Sequence, residues 1–193
     1  MADLTLWACG PADLAAVADL VNAAYRGTGG AAGWTHEIGV VDGQRTTSAA
    51  LAADLAGSDA VTILGLRAAD DLLACVRLER AADGQVCHVG MLAVRPGQQD
   101  RGLGRAMLEH AEAAGRAWGA QTARMTVVSM RDNLIAWYER RGYRRTGAVE
   151  AFPYDDARFG TPLRPDLAFI ILEKALTGAP AALRGAETEE EAR

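Results

Sequence analysis

"VRPGQQDRGLGRAMLEHA", Val94 to Ala111, decides how the chain is read. An apolar run ends at Val94, and Pro96-Gly97 makes a turn. Gly102 and Gly104 follow, and a helix is predicted from near Arg101 onward, with Leu103, Met107, Ala114 and Trp118 as its apolar stripe. The first turn of a helix leaves backbone N–H groups without helical partners and carries partial positive charge. Glycines there let a phosphate come close to the backbone. The stretch therefore suits a pyrophosphate, although a tight strand-to-helix turn without ligand would use the same glycines.

Two named phosphate motifs fail. A P-loop needs Lys and Ser or Thr after its last glycine; Gly97 and Gly102 have the spacing, but Leu103 and Gly104 follow. A Rossmann fingerprint needs a third glycine where Met107 stands, and it should open the first helix of a parallel unit, whereas this stretch lies mid-chain after a hairpin.

Outward from this stretch, strands and helices alternate. Upstream, "LTLWAC" (Leu4–Cys9) reads as a strand broken by Gly10-Pro11, and Leu14, Val17, Val21, Ala24 and Tyr25 recur at helical spacing. Arg26–Arg45 is glycine-rich and without period, so a long loop is expected. "TTSAALAADLAG" is a helix with Thr46 or Thr47 as N-cap and Gly57 near its end. "AVTILGLRA" and "LLACVRLER" form an antiparallel hairpin joined at Asp70-Asp71. "QVCHVGMLAV" is apolar at both alternating sets, which places it at the centre of a sheet covered on both faces. Downstream come the strand "QTARMTVVS", the short helix "RDNLIAWYERR" stopped at Gly142, and the closing strands "GYRRTGAVE" and "DLAFIILEKA". The fold expected is one α/β domain on a mixed sheet over residues 1–175, with a flexible acidic tail over 176–193.

Composition narrows the class. A chain of 193 residues, half apolar and 23% charged, has the makeup of a globular protein with one real core. A net charge of −5 provides no global field for nucleic acid. Cys9, Cys75 and Cys87 have no metal-ligand spacing and read as reduced thiols, pointing to the cytoplasm. "MADLTLW" has no signal-peptide pattern, and no run of about 18 apolar residues suggests a membrane span.

"LAVRPGQQDRGLGRA" resembles motif A of the GNAT superfamily of acyl-CoA-dependent N-acetyltransferases, through Leu92, Val94, Pro96, Gln99, Gly102 and Gly104. "LIAWYERRGYRRTG" resembles motif B, through Tyr138, Glu139, Gly142 and Tyr143. The two stand in the family's order with a strand between them. The resemblance implies a single GNAT fold, a mostly antiparallel sheet with splayed strands. It implies acetyl-CoA as co-substrate, with the main chain of Leu92, Ala93 and Val94 pairing with the pantetheine arm. It implies that the amides of Gln99, Asp100, Arg101, Gly102, Leu103, Gly104 and Arg105 wrap the pyrophosphate. Many members carry Asn seven residues before the motif B tyrosine; here that position is Arg131, and Asn133 is the candidate to take over the cofactor contact. The resemblance also implies direct attack of a primary amine on the thioester, polarised by a backbone N–H near Leu92 acting as an oxyanion donor.

Tyr138 is the candidate general acid for the leaving thiolate. It is also i+4 from Leu134 and i+3 from Ile135, on the apolar face, so a core role competes. His110 and His88 read as packing residues, and Glu79 as a solvated strand end. Arg140, Arg141, Arg144 and Arg145 suit a helix C-terminus, with the CoA 3′-phosphate as the lesser reading. Trp34 and His36, in "GWTHE", stand either against the acceptor or in local packing, and Asp155 and Asp156 read as solvated. The expected activity is acetyl transfer to the amine of a small molecule or peptide, with a non-catalytic acyl-CoA-binding module as the alternative. A homodimer stays open.

Overall fold

The computed structural model describes residues 4–28 and 36–176. In chain order the elements are β1 (Leu4–Ala8), α1 (Leu14–Arg26), β2 (Val41–Asp42), α2 (Ser48–Gly57), β3 (Val61–Ala68), β4 (Asp71–Arg80) and β5 (Val86–Val94). They continue with α3 (Leu103–Ala117), β6 (Thr122–Val128), α4 (Asp132–Glu139), β7 (Arg144–Ala151), β8 (Thr161–Pro162) and β9 (Ala168–Ala175). Seven strands form one sheet in the order β1-β3-β4-β5-β6-β9-β7. Neighbours are antiparallel except β5 and β6. The apolar run of β5 does lie at the centre of this sheet.

Each face of the sheet buries its own helices. Leu14, Val17 and Val21 of α1 and Leu51 of α2 pack on Ile63, Cys75, Met91 and Ala93. On the other face Leu103, Met107, Leu108 and Ala111 of α3 and Ile135 and Tyr138 of α4 pack on Val76, Leu78, Val89 and Met125. Burying one such side chain stabilises the fold by about 1.5–3 kcal/mol relative to exposure. Gly65 in β3 has a packing reason: a Cβ there would lie 2.8 Å from the Trp7 ring, so only glycine lets that indole cross the strand. Thr47 is the α2 N-cap, its hydroxyl accepting from the Ala50 N–H at 3.1 Å. Buried Glu112 of α3 takes Lys174 of β9 at 2.8 Å, which ties the helix across the sheet.

Several expectations shift. The helix after the glycine turn begins at Leu103, not near Arg101, because Gly102 holds φ +78°, outside helical geometry. The β3–β4 turn falls at Ala69-Asp70, with Ala69 left-handed, and Asp71 already pairs with Ala68. The long early loop contains β2, which pairs with β8 from the proline-containing loop before β9. Two residues per strand are too few to show a period. His110 is half-buried and outside the core cluster, so it is not the core histidine expected from the α3 stripe. Leu176 is buried and its N–H donates to the Gln121 carbonyl at 2.7 Å, so packing continues one residue into the expected tail; 177–193 lie outside the described residues. The three cysteines are free and buried, and burial pushes the Cys87 thiol up to about 11 and Cys9 to about 12.

Candidate active site

The parallel pairing of β5 with β6 covers three residue pairs, Val86–Thr122 to His88–Arg124, and ends there. Beyond His88 the strands diverge, and the sheet carries a gap at its centre. A bulge in β5 sits beside that gap. Cys75 pairs with Ala93 but Arg77 pairs with Gly90, so β5 holds one extra residue, and Met91 takes φ +52°. The extra residue reverses the alternation. Cys87 and Val89 face the α3 side before the bulge; after it Met91 and Ala93 face α1, and Leu92 and Val94 face α3 and α4. Without the bulge, Leu92 and Val94 would point to the α1 side.

Leu92 and Val94 open onto a cleft of about 660 Å³ between the glycine turn and α4. The turn is held in place by Arg95, whose guanidinium donates twice to the Leu72 carbonyl, at 2.9 and 2.7 Å. Gly97, Asp100 and Gly102 all take left-handed φ, so the chain coils tightly before α3 starts. The first helical hydrogen bond runs from the Ala106 N–H to the Gly102 carbonyl at 2.9 Å. The N–H groups of Leu103, Gly104 and Arg105 therefore have no acceptor within the helix. A Cβ on Gly104 would stand 3.5 Å from Val94 and 3.6 Å from the Trp137 ring, within the cleft wall. At the outer end Arg141 lies 3.5 Å over the Trp137 ring. Burial, with Arg140 and Arg105 nearby, holds the Arg141 guanidinium below its ordinary range.

A second cavity, of about 110 Å³, lies on the other side of the gap. Phe152, Phe159 and Phe169 form its aromatic wall, with ring centroids 5.3–6.1 Å apart. Glu37, Arg45 and Arg131 are its charged lining. Glu37 is 7% exposed, is ion-paired with Arg26, and lies 3.5 Å from Arg131. The two cavities share Tyr25, Leu92, Leu134 and Tyr138. They meet at these four residues.

Tyr138 sits at that junction, 6% exposed, its ring edge-on to Trp137 at 5.0 Å and to Tyr143 at 5.8 Å. It is both core and cavity wall. Burial pushes its hydroxyl well above the usual tyrosine range; Tyr25 adds to the rise, and Arg131 and Arg141 oppose it. Tyr25 is a site residue that sequence reading left as a helix-face residue. Its hydroxyl donates to the Leu92 carbonyl at 3.1 Å, and burial raises it to about 12.

The structure gathers Leu92, Val94, Gln99, Asp100, Gly102, Leu103, Gly104, Arg105, Asn133 and Tyr138 around the first cleft. Ala93 is buried against α1, and the Arg101 side chain turns away to donate to Gln98 at 2.7 Å; neither side chain lines the cleft. Asn133 and Arg131 part company, the first lining the cleft and the second the aromatic cavity. Arg140 and Arg141 reach the cleft as well, but Arg145 pairs with Glu139 instead. His88, His36, Glu79, Asp155 and Asp156 line neither cavity. Glu79 takes Arg77 at 2.9 Å. Trp34 lies outside the described residues. No group of three or more metal-ligating side chains occurs among the described residues, and no helix there is long and apolar enough to cross a membrane.

A sheet split at its centre, a bulged strand beside the split, and a glycine-rich helix start define an acyl-CoA acetyltransferase fold. The family model for the "Acetyltransferase (GNAT) family" matches residues 33–143, and the chain belongs to that family, whose members are acyltransferases that use acetyl-CoA. The fold is similar to that of the ribosomal-protein-S18-alanine N-acetyltransferase from Escherichia coli, with a TM-score of 0.64 at 18% identity over 95% of this chain and 100% of that one. It is similar to Ard1 from Thermoplasma volcanium, with a TM-score of 0.65 at 14% identity over 92% and 100%. A GNAT acetyltransferase from Elizabethkingia anophelis with acetyl-CoA bound gives a TM-score of 0.63 at 13% identity over 91% and 99%. None of the curated proteins matches the chain.

Proposed function

We propose that this chain transfers an acetyl group from acetyl-CoA to a primary amine by direct attack, at the junction of the two cavities. The observation that carries the reading is that junction: a cleft suited to CoA and a separate cavity open to the same four residues, Tyr25, Leu92, Leu134 and Tyr138.

The residues of the cleft fit the cofactor. The amides of Gln99 to Arg105, with Asp100, Arg101, Gly102, Leu103 and Gly104 between, form a concave donor surface at a helix N-terminus, which suits a pyrophosphate. Gly104 keeps the approach clear of a Cβ. The main chain of Leu92, Ala93 and Val94 lies along the unpaired half of β5 and suits an extended pantetheine arm. The Leu92 carbonyl already accepts from Tyr25, and its second lone pair remains for a further donor. Asn133, at the start of α4, closes the opposite wall.

Acetyl-CoA supplies a thioester already activated toward attack. A backbone N–H near Leu92 polarises its carbonyl. The amine enters from the aromatic cavity and must be neutral to attack. Tyr138, kept protonated by burial, gives its proton to the departing thiolate. Glu37 is tied to Arg26 and Arg131, so the amine's proton leaves through water rather than to a carboxylate of the lining.

Mixing the protein with acetyl-CoA and an amine panel, and following free thiol, tests the reading. Amine-dependent thiol release with formation of the acetylamide is expected. Binding of acetyl-CoA without turnover on any amine would leave a binding module instead.

A further inference from the structure

We infer that Arg26, at the end of α1, is the positioning residue of the acceptor cavity: its guanidinium fixes the two long loops that wall that cavity. The inference rests on the acetyl-transfer reading and deepens it at the same site.

The loops themselves carry little regular structure. Residues 37–45 give the cavity Glu37, Val41 and Arg45, and residues 152–163 give it Phe152 and Phe159. Among the described residues, their sheet pairing is Val41–Pro162 and Asp42–Thr161, extended by the Leu163 N–H, which donates to the Val40 carbonyl at 3.0 Å. So short a ladder is marginal by itself. Val41, Phe152 and Leu167 bury apolar surface together, but such burial is non-directional and does not fix where each carbonyl stands.

Arg26 supplies the direction. Its Nε donates to the Gly43 carbonyl at 2.9 Å and its Nη2 to the Phe159 carbonyl at 3.3 Å, while Nη1 is ion-paired with Glu37. These partners lie 17, 133 and 11 residues along the chain. Both loops are therefore held by one rigid plane, because a guanidinium presents its donors in a fixed fork. A cation in the last turn of a helix is favoured by the helix dipole alone. That would account for a solvated arginine, whereas this side chain is 5% exposed and spends its donors on the loops. The chain packs closely around it. A Cβ on Gly160 would overlap the Asp42 carbonyl and stand 3.3 Å from Arg26 Nη2.

Glu37 carries the fixation onward. Its N–H donates to the Tyr25 carbonyl at 2.7 Å, and its other carboxylate oxygen lies 3.5 Å from Arg131 at the start of α4. Helix α4 bears Tyr138. The end of α1, the acceptor loops and the start of α4 are thus joined through one buried row, Arg26–Glu37–Arg131, in which every charge has its partner. Tyr25, the residue before Arg26, donates to the Leu92 carbonyl at the junction of the two cavities. The cavity wall is thereby set in height against the inner end of the cleft. An amine held by a fixed wall arrives within reach of the thioester; a wall that drifts would hold it in many places.

Arg26→Lys tests this, since it keeps a positive charge beside Glu37 but loses the fork. In hydrogen exchange on the full chain, the Val41 and Leu163 amides should exchange roughly tenfold faster in the variant, with the amides of β3, β4 and β5 unchanged. At saturating acetyl-CoA, thiol release is then followed on whichever of phenethylamine, 3-methylbutylamine, spermidine and leucinamide the wild type turns over best. KM for that amine should rise roughly tenfold, kcat should fall by less, and the Kd of acetyl-CoA should stay within about twofold. A role in stability alone predicts a lower Tm with the loop exchange and the amine KM unmoved. If Arg26→Lys does not fold, Gly160→Ala displaces the same loops while leaving Arg26 and Glu37 in place, and the same rise in amine KM is expected. An unchanged amine KM in a folded variant would overturn the inference and leave acetyl transfer standing, and so would a loss of acetyl-CoA affinity in step with the amine. A wild-type protein that binds acetyl-CoA but releases no thiol with any of these amines would overturn both.

Discussion

The cleft and the aromatic cavity on either side of the β5–β6 gap are built by different means. The cleft is made by consecutive backbone: the end of β5, one turn, and the start of α3, residues 92–105, closed by one helix. The aromatic cavity is made by side chains from segments far apart, including Tyr25, Glu37, Arg45, Met125, Arg131 and Phe169. A backbone-built site binds whatever fits amide donors and tolerates change in the side chains around it. A side-chain-built site changes its ligand with each substitution. Under the proposed function, the difference places specificity in the side-chain-built cavity, and the backbone-built cleft serves the shared cofactor.

Three substitutions and one addition probe that division, taken from the largest effect down. Glu37→Gln should cost about 3–5 kcal/mol of stability, because two buried guanidiniums lose their shared counter-charge. Urea denaturation measures it. Once folded, the variant should bind acetyl-CoA as the wild type does; a matching loss of acetyl-CoA affinity would show that the two sides are not independent. Tyr138→Phe removes one oxygen at the point where they meet. Turnover should fall roughly ten- to a thousandfold, equivalent to about 1.4–4 kcal/mol, with little change in acetyl-CoA affinity. A variant with unaltered turnover on a good acceptor would reduce Tyr138 to its core role. Acetyl-CoA at a hundredfold excess over Kd should stabilise the wild type by about 2.7 kcal/mol, seen as a raised Tm. Gly104→Val should abolish that shift, since its side chain would stand between Val94 and Trp137. Gly102 is a poorer probe: its left-handed φ would strain any replacement, mixing stability with binding.

The same division explains what could be read from the sequence. Motif A is contiguous, so Gln99, Gly102 and Gly104 announce the helix start with no knowledge of the fold, and β5 shows its central place by being apolar on both faces. Tyr25 could not be found that way. It occupies an ordinary apolar position of α1, and only the bulge in β5 turns the Leu92 carbonyl within 3.1 Å of its hydroxyl. Arg131 stands out in the sequence only as a missing asparagine. Its partner Glu37 lies 94 residues earlier, in a loop with no periodic pattern. β2 and β8 escaped for a related reason: each is too short to alternate, and each forms only because the other is there.

The narrow seam between β5 and β6 also bears on how the molecule assembles. On one side of it lie β1, β3, β4 and β5, all within residues 4–94; on the other lie β6, β7 and β9, all within 122–175. Only the β3–β4–β5 meander pairs strands adjacent in sequence; β1 reaches β3 across α1 and α2, β6 reaches β9 across α4 and β7, and only three residue pairs of sheet join the groups. Local pairing closes small loops and forms early, whereas joining the groups requires α3 to span them. The β3–β4–β5 meander is therefore expected to pair early, and the groove between the halves to close late, when they dock. A bound molecule lying in that groove touches both halves, so it acts on the escape rate from the native state far more than on the rate of reaching it.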